Sequence, residues 1–105
     1  MIKKQIKSKR MAAKVAKELV NDLMQELDCY GSYEVKLENV GTYYEAVVTS
    51  PRCCSNIITS SCVDRIMRVA KMYELQYNYV CYHIEVVEAD GKHLPAFIIQ
   101  VAYSK

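Results

Sequence analysis

The stretch SYEVKLENVGTYYEAVV, residues 32–48, decides the fold. In its first half Tyr33, Val35 and Leu37 alternate with Glu34, Lys36 and Glu38. Successive side chains of a strand point to opposite faces, so this half is a strand with one apolar and one charged side. Asn39-Val40-Gly41-Thr42 carries turn chemistry, and YYEAVV reads as the return strand of a hairpin.

Toward the N-terminus the period changes from two to between three and four. From about Ser8 to Cys29, Ala12, Ala16, Leu19, Val20, Leu23 and Leu27 fall on one face of a helix. Gly31 is placed to cap its C-terminal end. Toward the C-terminus, TSPRCCSN reads as loop, because Pro51 cannot donate to a ladder, and the inter-unit loop is set at residues 49–60. Ser61 and Asp64 then stand at capping-box-like spacing, although Asp is a weaker partner than Glu. Val63, Ile66, Val69, Ala70 and Tyr73 mark a second amphipathic helix to about Glu74. YNYVCYHIEVVE is a long strand, Asp90-Gly91 a hairpin turn, and LPAFIIQVAY the last strand, with Pro95 near its start.

The order is αββαββ, a helix and a hairpin given twice, with no residue match between the halves. The expected fold is α+β, a two-layer sandwich in which a four-stranded, mainly antiparallel sheet carries both helices on one face. A chain of 105 residues is the size of one domain, and residues 1–105 are read as one, with 1–9 a basic arm or helical extension. Half the residues are hydrophobic and a quarter charged, an ordinary globular composition. No apolar run approaches the ~18 residues of a membrane span. Lys14, Lys17 and Glu18 interrupt the segment after the basic start, so it does not read as a secretory signal. Five cysteines, an odd number at irregular spacing, do not make a disulfide framework. Together these point to a cytoplasmic protein with no membrane partner.

Charge is distributed unevenly. MIKKQIKSKR holds Lys3, Lys4, Lys7, Lys9 and Arg10, and the first acid is Glu18. On a helical wheel Lys3, Lys7, Arg10, Lys14 and Lys17 form one stripe, nearly opposite the leucines. Positive charge at a helix N-terminus opposes the macrodipole, so a sequence shaped by stability alone would place acids there. Arg65, Arg68 and Lys71 lie off the apolar face of the second helix. The two helices side by side could merge these into a basic patch of the kind that binds phosphates, interrupted by Glu18, Asp22, Asp64 and Glu74. Exposed helix faces are also charged for solubility alone, and no helix-turn-helix signature or glycine-containing RNA motif is present.

The second signal is tyrosine, nine against one phenylalanine. Strand alternation turns Val80, Tyr82, Ile84 and Val86 to the core. It turns Tyr77, Tyr79, Cys81, His83, Glu85 and Val87 to the opposite face. The last strand is apolar on both sides, with Phe97, Ile99 and Val101 on one and Ala96, Ile98 and Ala102 on the other. Such strands are usually covered twice. The simplest cover is a second copy packed sheet on sheet, a homo-dimer with Tyr77, Tyr79, His83 and Ile98 at its interface. Base stacking on exposed tyrosines is a less favoured use of that face, because His83 and Glu85 do not make a basic groove.

Catalytic parts are few. Cys81, His83 and Glu85 share a strand face, but neighbours there sit roughly 7 Å apart and no oxyanion loop is near. Cys53-Cys54 and Cys62 lack zinc-knuckle spacing. With three glycines there is no phosphate-cradling loop. No cofactor or metal is called for. Two functions from different classes remain. One is a non-enzymatic protein that grips nucleic acid, or another acidic surface, through Lys3, Lys4, Lys7, Lys9, Arg10, Lys14 and Lys17, with Arg65 and Arg68. The other is a protein-interaction or assembly module, a structural subunit or an inhibitor of a larger machine, working through the tyrosine-rich sheet face.

Overall fold

A computed structural model of the chain describes residues 2–27, 34–49, 60–89 and 91–104, without the side chains of 60–63, 89, 92 and 94. The element order is α1 (Lys9–Leu27), β1 (Glu34–Asn39), β2 (Tyr44–Thr49), α2 (Ser60–Gln76), β3 (Val80–Ala89) and β4 (Lys92–Val101). The four strands form one sheet in the order β1-β2-β4-β3, antiparallel throughout. The α+β class, the αββαββ order and the two-layer arrangement are as the sequence implies.

Three cross-strand rows face the helices. They are Val35-Val48-Phe97-Ile84, Leu37-Ala46-Ile99-Tyr82 and Asn39-Tyr44-Val101-Val80. Helix α1 packs on β1 and β2, and α2 on β3. Ala12, Val15, Ala16, Leu19, Leu23 and Leu27 from α1 meet Ile66, Val69, Ala70 and Tyr73 from α2 over these rows in one core. The helices are antiparallel and linked twice on their upper sides. The Tyr73 hydroxyl donates to Asp22 Oδ2 at 2.5 Å, and Arg65 pairs with Glu26 at 3.6 Å. Glu26 Oε1 has no hydrogen-bond partner, so this pair is a charge contact without a directed bond.

Ser8 caps α1: its Oγ accepts from Met11 N at 3.1 Å, the N-cap arrangement. Asn39 folds the first hairpin through its Oδ1, which accepts from Gly41 N at 2.9 Å, and Gly41 takes a φ of 102° closed to most side chains. The register Ala89↔Lys92 makes the second hairpin a two-residue turn, with Gly91 at φ 73°.

Several local expectations change. Ser61 lies inside α2, which starts at Ser60 and runs to Gln76, so it is not the N-cap. Val15 joins the buried face of α1, and Val20 sits only half-buried at its margin. The strand expected from Tyr77 begins at Val80, because the chain turns at Asn78-Tyr79 with Tyr79 left-handed at φ 69°. Ile84 and Val86 share the helix-side face with Val80 and Tyr82, yet they are 45% and 68% exposed. Val86 lies opposite Pro95, beyond the Phe97–Val101 stretch that β2 reaches, so no third strand flanks it; Ile84 still ends the row through Phe97 and Val48 and is bare because β3 is the edge of the sheet. Pro95 sits on that unflanked stretch of β4, opposite Val86 of β3, where its missing donor costs no ladder bond to β2. The inter-unit loop expected at 49–60 is narrower at both ends, since Thr49 ends β2 and Ser60 begins α2; residues 50–59, the cap at Gly31 and the side chains of Cys29, Cys53, Cys54, Cys62 and Val63 lie outside the described residues.

Candidate nucleic-acid interface

The basic start is neither a helical extension nor a free arm. Helix α1 begins at Lys9, and residues 2–7 run extended against the end of α2 and the C-terminal segment. Lys4 bridges Tyr77 in parallel. Lys4 N donates to Gln76 O at 2.8 Å, Asn78 N to Lys4 O at 2.9 Å, and Ser104 N to Ile6 O at 2.8 Å. Ile6 is 0% exposed and belongs to the main core. The apolar residues flanked by lysines in this stretch are therefore of two kinds, one anchor and, at Ile2, one solvent-facing side chain. Lys3 and Lys7 leave the helical stripe, but the anchor fixes where they project.

Arg10, Lys14 and Lys17 remain a stripe on α1, diametrically opposite Leu19, and all three are exposed. A groove of about 620 Å³ follows this surface, lined among the described residues by Ser8, Arg10, Met11, Ala13, Lys14, Lys17 and Glu18. Arg68 and Lys71 are exposed on α2, beside Leu75, which is 63% exposed. Arg65 stands apart from these, since its guanidinium lies 3.6 Å from Glu26 of α1 while its side chain stays 42% exposed. Asp22 is likewise engaged by Tyr73. Two of the acids on the helices thus face internal partners, and a third, Glu18, borders the groove.

The open face of the sheet has the opposite sign. Its rows are Lys36-Val47-Ile98-His83 and Glu38-Glu45-Gln100-Cys81. Glu38 and Glu45 stand directly opposite each other, an arrangement that destabilises a ladder. A recess of about 260 Å³ on this face is rimmed by Glu38, Glu45, Glu85 and Glu88, with Lys36 the one base among its lining residues and Val47 and Ile98 in its floor. The Tyr43 phenol beside it is held above its ordinary pKa, first by desolvation and then by Glu45, with Glu85 adding. No sequence signal joined these glutamates, although the hairpin register that opposes Glu38 to Glu45 follows from the turn at 39–43.

The interface residues expected on this face separate. Tyr77 is on the helix side, stacked on Tyr73 at 6.2 Å and packed against the main core. Tyr79 is exposed in the turn before β3. His83 does lie on the open face. Ile98 also lies there, yet it is 1% exposed, packed with Val47, Ala96 and Val87 in a small second cluster. The doubly apolar β4 is therefore covered twice within one chain.

His83 Nε2 and Glu85 Oε2 approach to 3.2 Å, closer than the backbone spacing implies, because the two side chains lean along the strand. Cys81 joins neither of them: its thiol lies 3.4 Å from Gln100 Oε1, and burial, then the Glu74 charge, push its pKa up. A raised thiol pKa leaves less thiolate, the nucleophilic form. Among the described residues no group of His, Cys, Asp and Glu could hold a metal ion. No described helix is long and apolar enough to cross a membrane. Comparison with family models, with curated proteins and with solved structures finds no match to this chain.

Proposed function

We propose that the protein is a non-enzymatic binding protein that grips the phosphate backbone of nucleic acid through its helix layer and anchored N-terminal segment. The observation that carries this reading is the segregation of charge between the two faces. Arg10, Lys14, Lys17, Arg68 and Lys71 are exposed on the helices, where Glu18 and Asp64 are the fully exposed acids among the described residues, while Glu38, Glu45 and Glu85 gather on the open face of the sheet around Lys36. A molecule so polarised presents one face to a polyanion and turns the other away. Arg65 contributes less than its sequence position suggests, because the Glu26 carboxylate beside it offsets part of its field. The contacts are to phosphate, so the expected binding is strong in low salt and weakly selective for sequence.

The test is fluorescence anisotropy with labelled single- and double-stranded DNA and RNA across a salt series. Each phosphate contact adds about 0.9 to the slope of log K against log salt on B-DNA, so Lys14→Glu with Lys17→Glu should lower that slope by roughly two such steps. Absence of binding at low salt, or binding indifferent to both changes, refutes the reading. A second reading, a protein-interaction or assembly module, is supported by the bare apolar side chains of Ile84 and Val86 on an edge strand.

A further inference from the structure

Strand β3 is an edge of the sheet, and three devices that keep edges from pairing, a short strand, a proline and a bulge, are absent from it. It is ten residues long and pairs with β4 residue for residue from Val80↔Val101 to Ala89↔Lys92, so no bulge twists its outer side away. It contains no proline. The other edge, β1, is six residues long and carries Glu34, Lys36 and Glu38. Among the described residues nothing pairs with the outer side of Val80–Ala89. On its helix-side face Ile84 and Val86 are bare, and on its open face an imidazole and a carboxylate, His83 and Glu85, are two residues apart.

We infer that β3 pairs antiparallel with β3 of a second copy, about a two-fold axis at Ile84. Residues opposite one another in an antiparallel ladder share a face, so the register can shift only in steps that keep the alternation. The axis at Ile84 sets His83 against Glu85 of the second copy, and Glu85 against its His83. On the other face it sets Ile84 against Ile84 and Tyr82 against Val86. An axis at Glu85 would oppose two glutamates, and one at His83 would oppose two imidazoles and set each Glu85 against Cys81. Only the axis at Ile84 gives each carboxylate an imidazole N–H across the seam, with apolar contact at its centre. Packing two open faces together would instead bring Glu38, Glu45 and Glu85 of each copy toward those of the other.

Such an axis is perpendicular to the sheet. The product is a continuous eight-stranded sheet with both helix layers on the same side. This arrangement is independent of the phosphate reading, since a monomer can bind nucleic acid and a dimer can form without it.

The test is sedimentation velocity on the full chain, with circular dichroism to show that each variant is folded. The intact chain should dimerise, and Ile84→Lys, at a position already exposed, should give a folded monomer. Glu85→Lys removes both cross-pairs and should weaken the dimer about 10-fold, while His83→Glu combined with Glu85→Lys should restore it to within about 3-fold. Opposed Cα atoms in an antiparallel pair lie within disulfide range. Oxidised Ile84→Cys should therefore yield a covalent dimer joined at residue 84 in both copies, as mapped by mass spectrometry. A chain that stays monomeric at millimolar concentration overturns the inference. So does a dimer indifferent to Ile84→Lys, or one cross-linked through Ile98→Cys in place of Ile84→Cys. Nucleic-acid binding measured alongside reads the other proposal separately.

Discussion

Replacing Ile6 by alanine tests whether the basic N-terminal segment is part of the fold or merely laid upon it. Ile6 is 0% exposed and packs in the main core between two elements distant in sequence. Truncation to alanine removes three carbons, worth about 2.4 kcal/mol at roughly 0.8 per buried carbon, before any cavity term. Buried isoleucines cost about 2–5 kcal/mol when cut to alanine. The three backbone bonds that tie the segment down contribute about 1 kcal/mol each. Ordering residues 2–7 costs about 1 kcal/mol or more per residue, so those bonds cannot hold the segment unaided. Ile6 is the anchor, and without it the segment should detach while the sheet persists.

Two assays read this together. Urea unfolding should show a loss of about 2–3 kcal/mol, near the low end of the range, because detachment relieves the cavity. Hydrogen exchange should show the amides of Lys4, Asn78 and Ser104 at least ~30-fold faster, which is about 2 kcal/mol of local opening. Nucleic-acid affinity should fall without loss of any charge, because Lys3, Lys4 and Lys7 no longer hold fixed positions. A loss under about 0.5 kcal/mol with unchanged exchange at those amides would refute the reasoning.

Tyr73→Phe removes the hydroxyl that donates to Asp22 and should cost about 1–2 kcal/mol at neutral pH. The Tyr73 phenol is raised above its ordinary value of 10.0 by burial first and by Asp22 second. Its contribution is thus complete below pH 10 and is lost as pH climbs beyond, so urea midpoints of the parent chain should decline more steeply there than those of the variant. Tyr79→Gly relieves a left-handed φ of 69° at an exposed position, and thermal unfolding should show it unchanged or up to ~1 kcal/mol more stable. Glu38→Lys places a cation opposite Glu45 and should stabilise by up to about 0.5 kcal/mol. The same variant should leave nucleic-acid affinity within about 2-fold, because its charge lies on the face turned away from the phosphates; a gain comparable to the loss from Lys14→Glu would count against the helix layer as the binding surface.

The fold was legible because its signals are local. Alternation at Val35 and Leu37, the three-four period of Leu19, Leu23 and Leu27, and the turns at Gly41 and Gly91 each depend on near neighbours. What was not legible depends on partners far along the chain. Ile6 looks like one more residue of a lysine-rich start, and only the backbone bonds of its segment, from Lys4 to Gln76 and Asn78 and from Ile6 to Ser104, bring it to the core. Arg65 is indistinguishable in sequence from Arg68, and the facing Glu26 decides that one is paired and the other exposed. Tyr77 fits the alternation of β3 perfectly well, but the left-handed Tyr79 cuts it off and turns it to the helix side.

The position of β4 explains why the expected dimer and the inferred one differ. For a strand apolar on both faces, the simplest cover read from sequence is a second molecule over the open face. Because β4 lies between β2 and β3, its outer side chains Ala96 and Ile98 are instead flanked by Val47 and Val87 and ringed by charged neighbours. The same insertion pushes β3 to the edge, which leaves Ile84 bare, and beyond it Val86 outruns β2 and is bare too. The unsatisfied apolar surface has therefore moved from the face of the sheet to its rim. Pairing at the rim has a consequence that packing at the face does not: both basic helix layers then look the same way. Two linked phosphate-binding surfaces on one side bind a single polyanion with an effective concentration set by their fixed spacing, so affinity gains without any new contact. If both proposals hold, Ile84→Lys should weaken binding to long duplexes far more than to duplexes too short to span two copies.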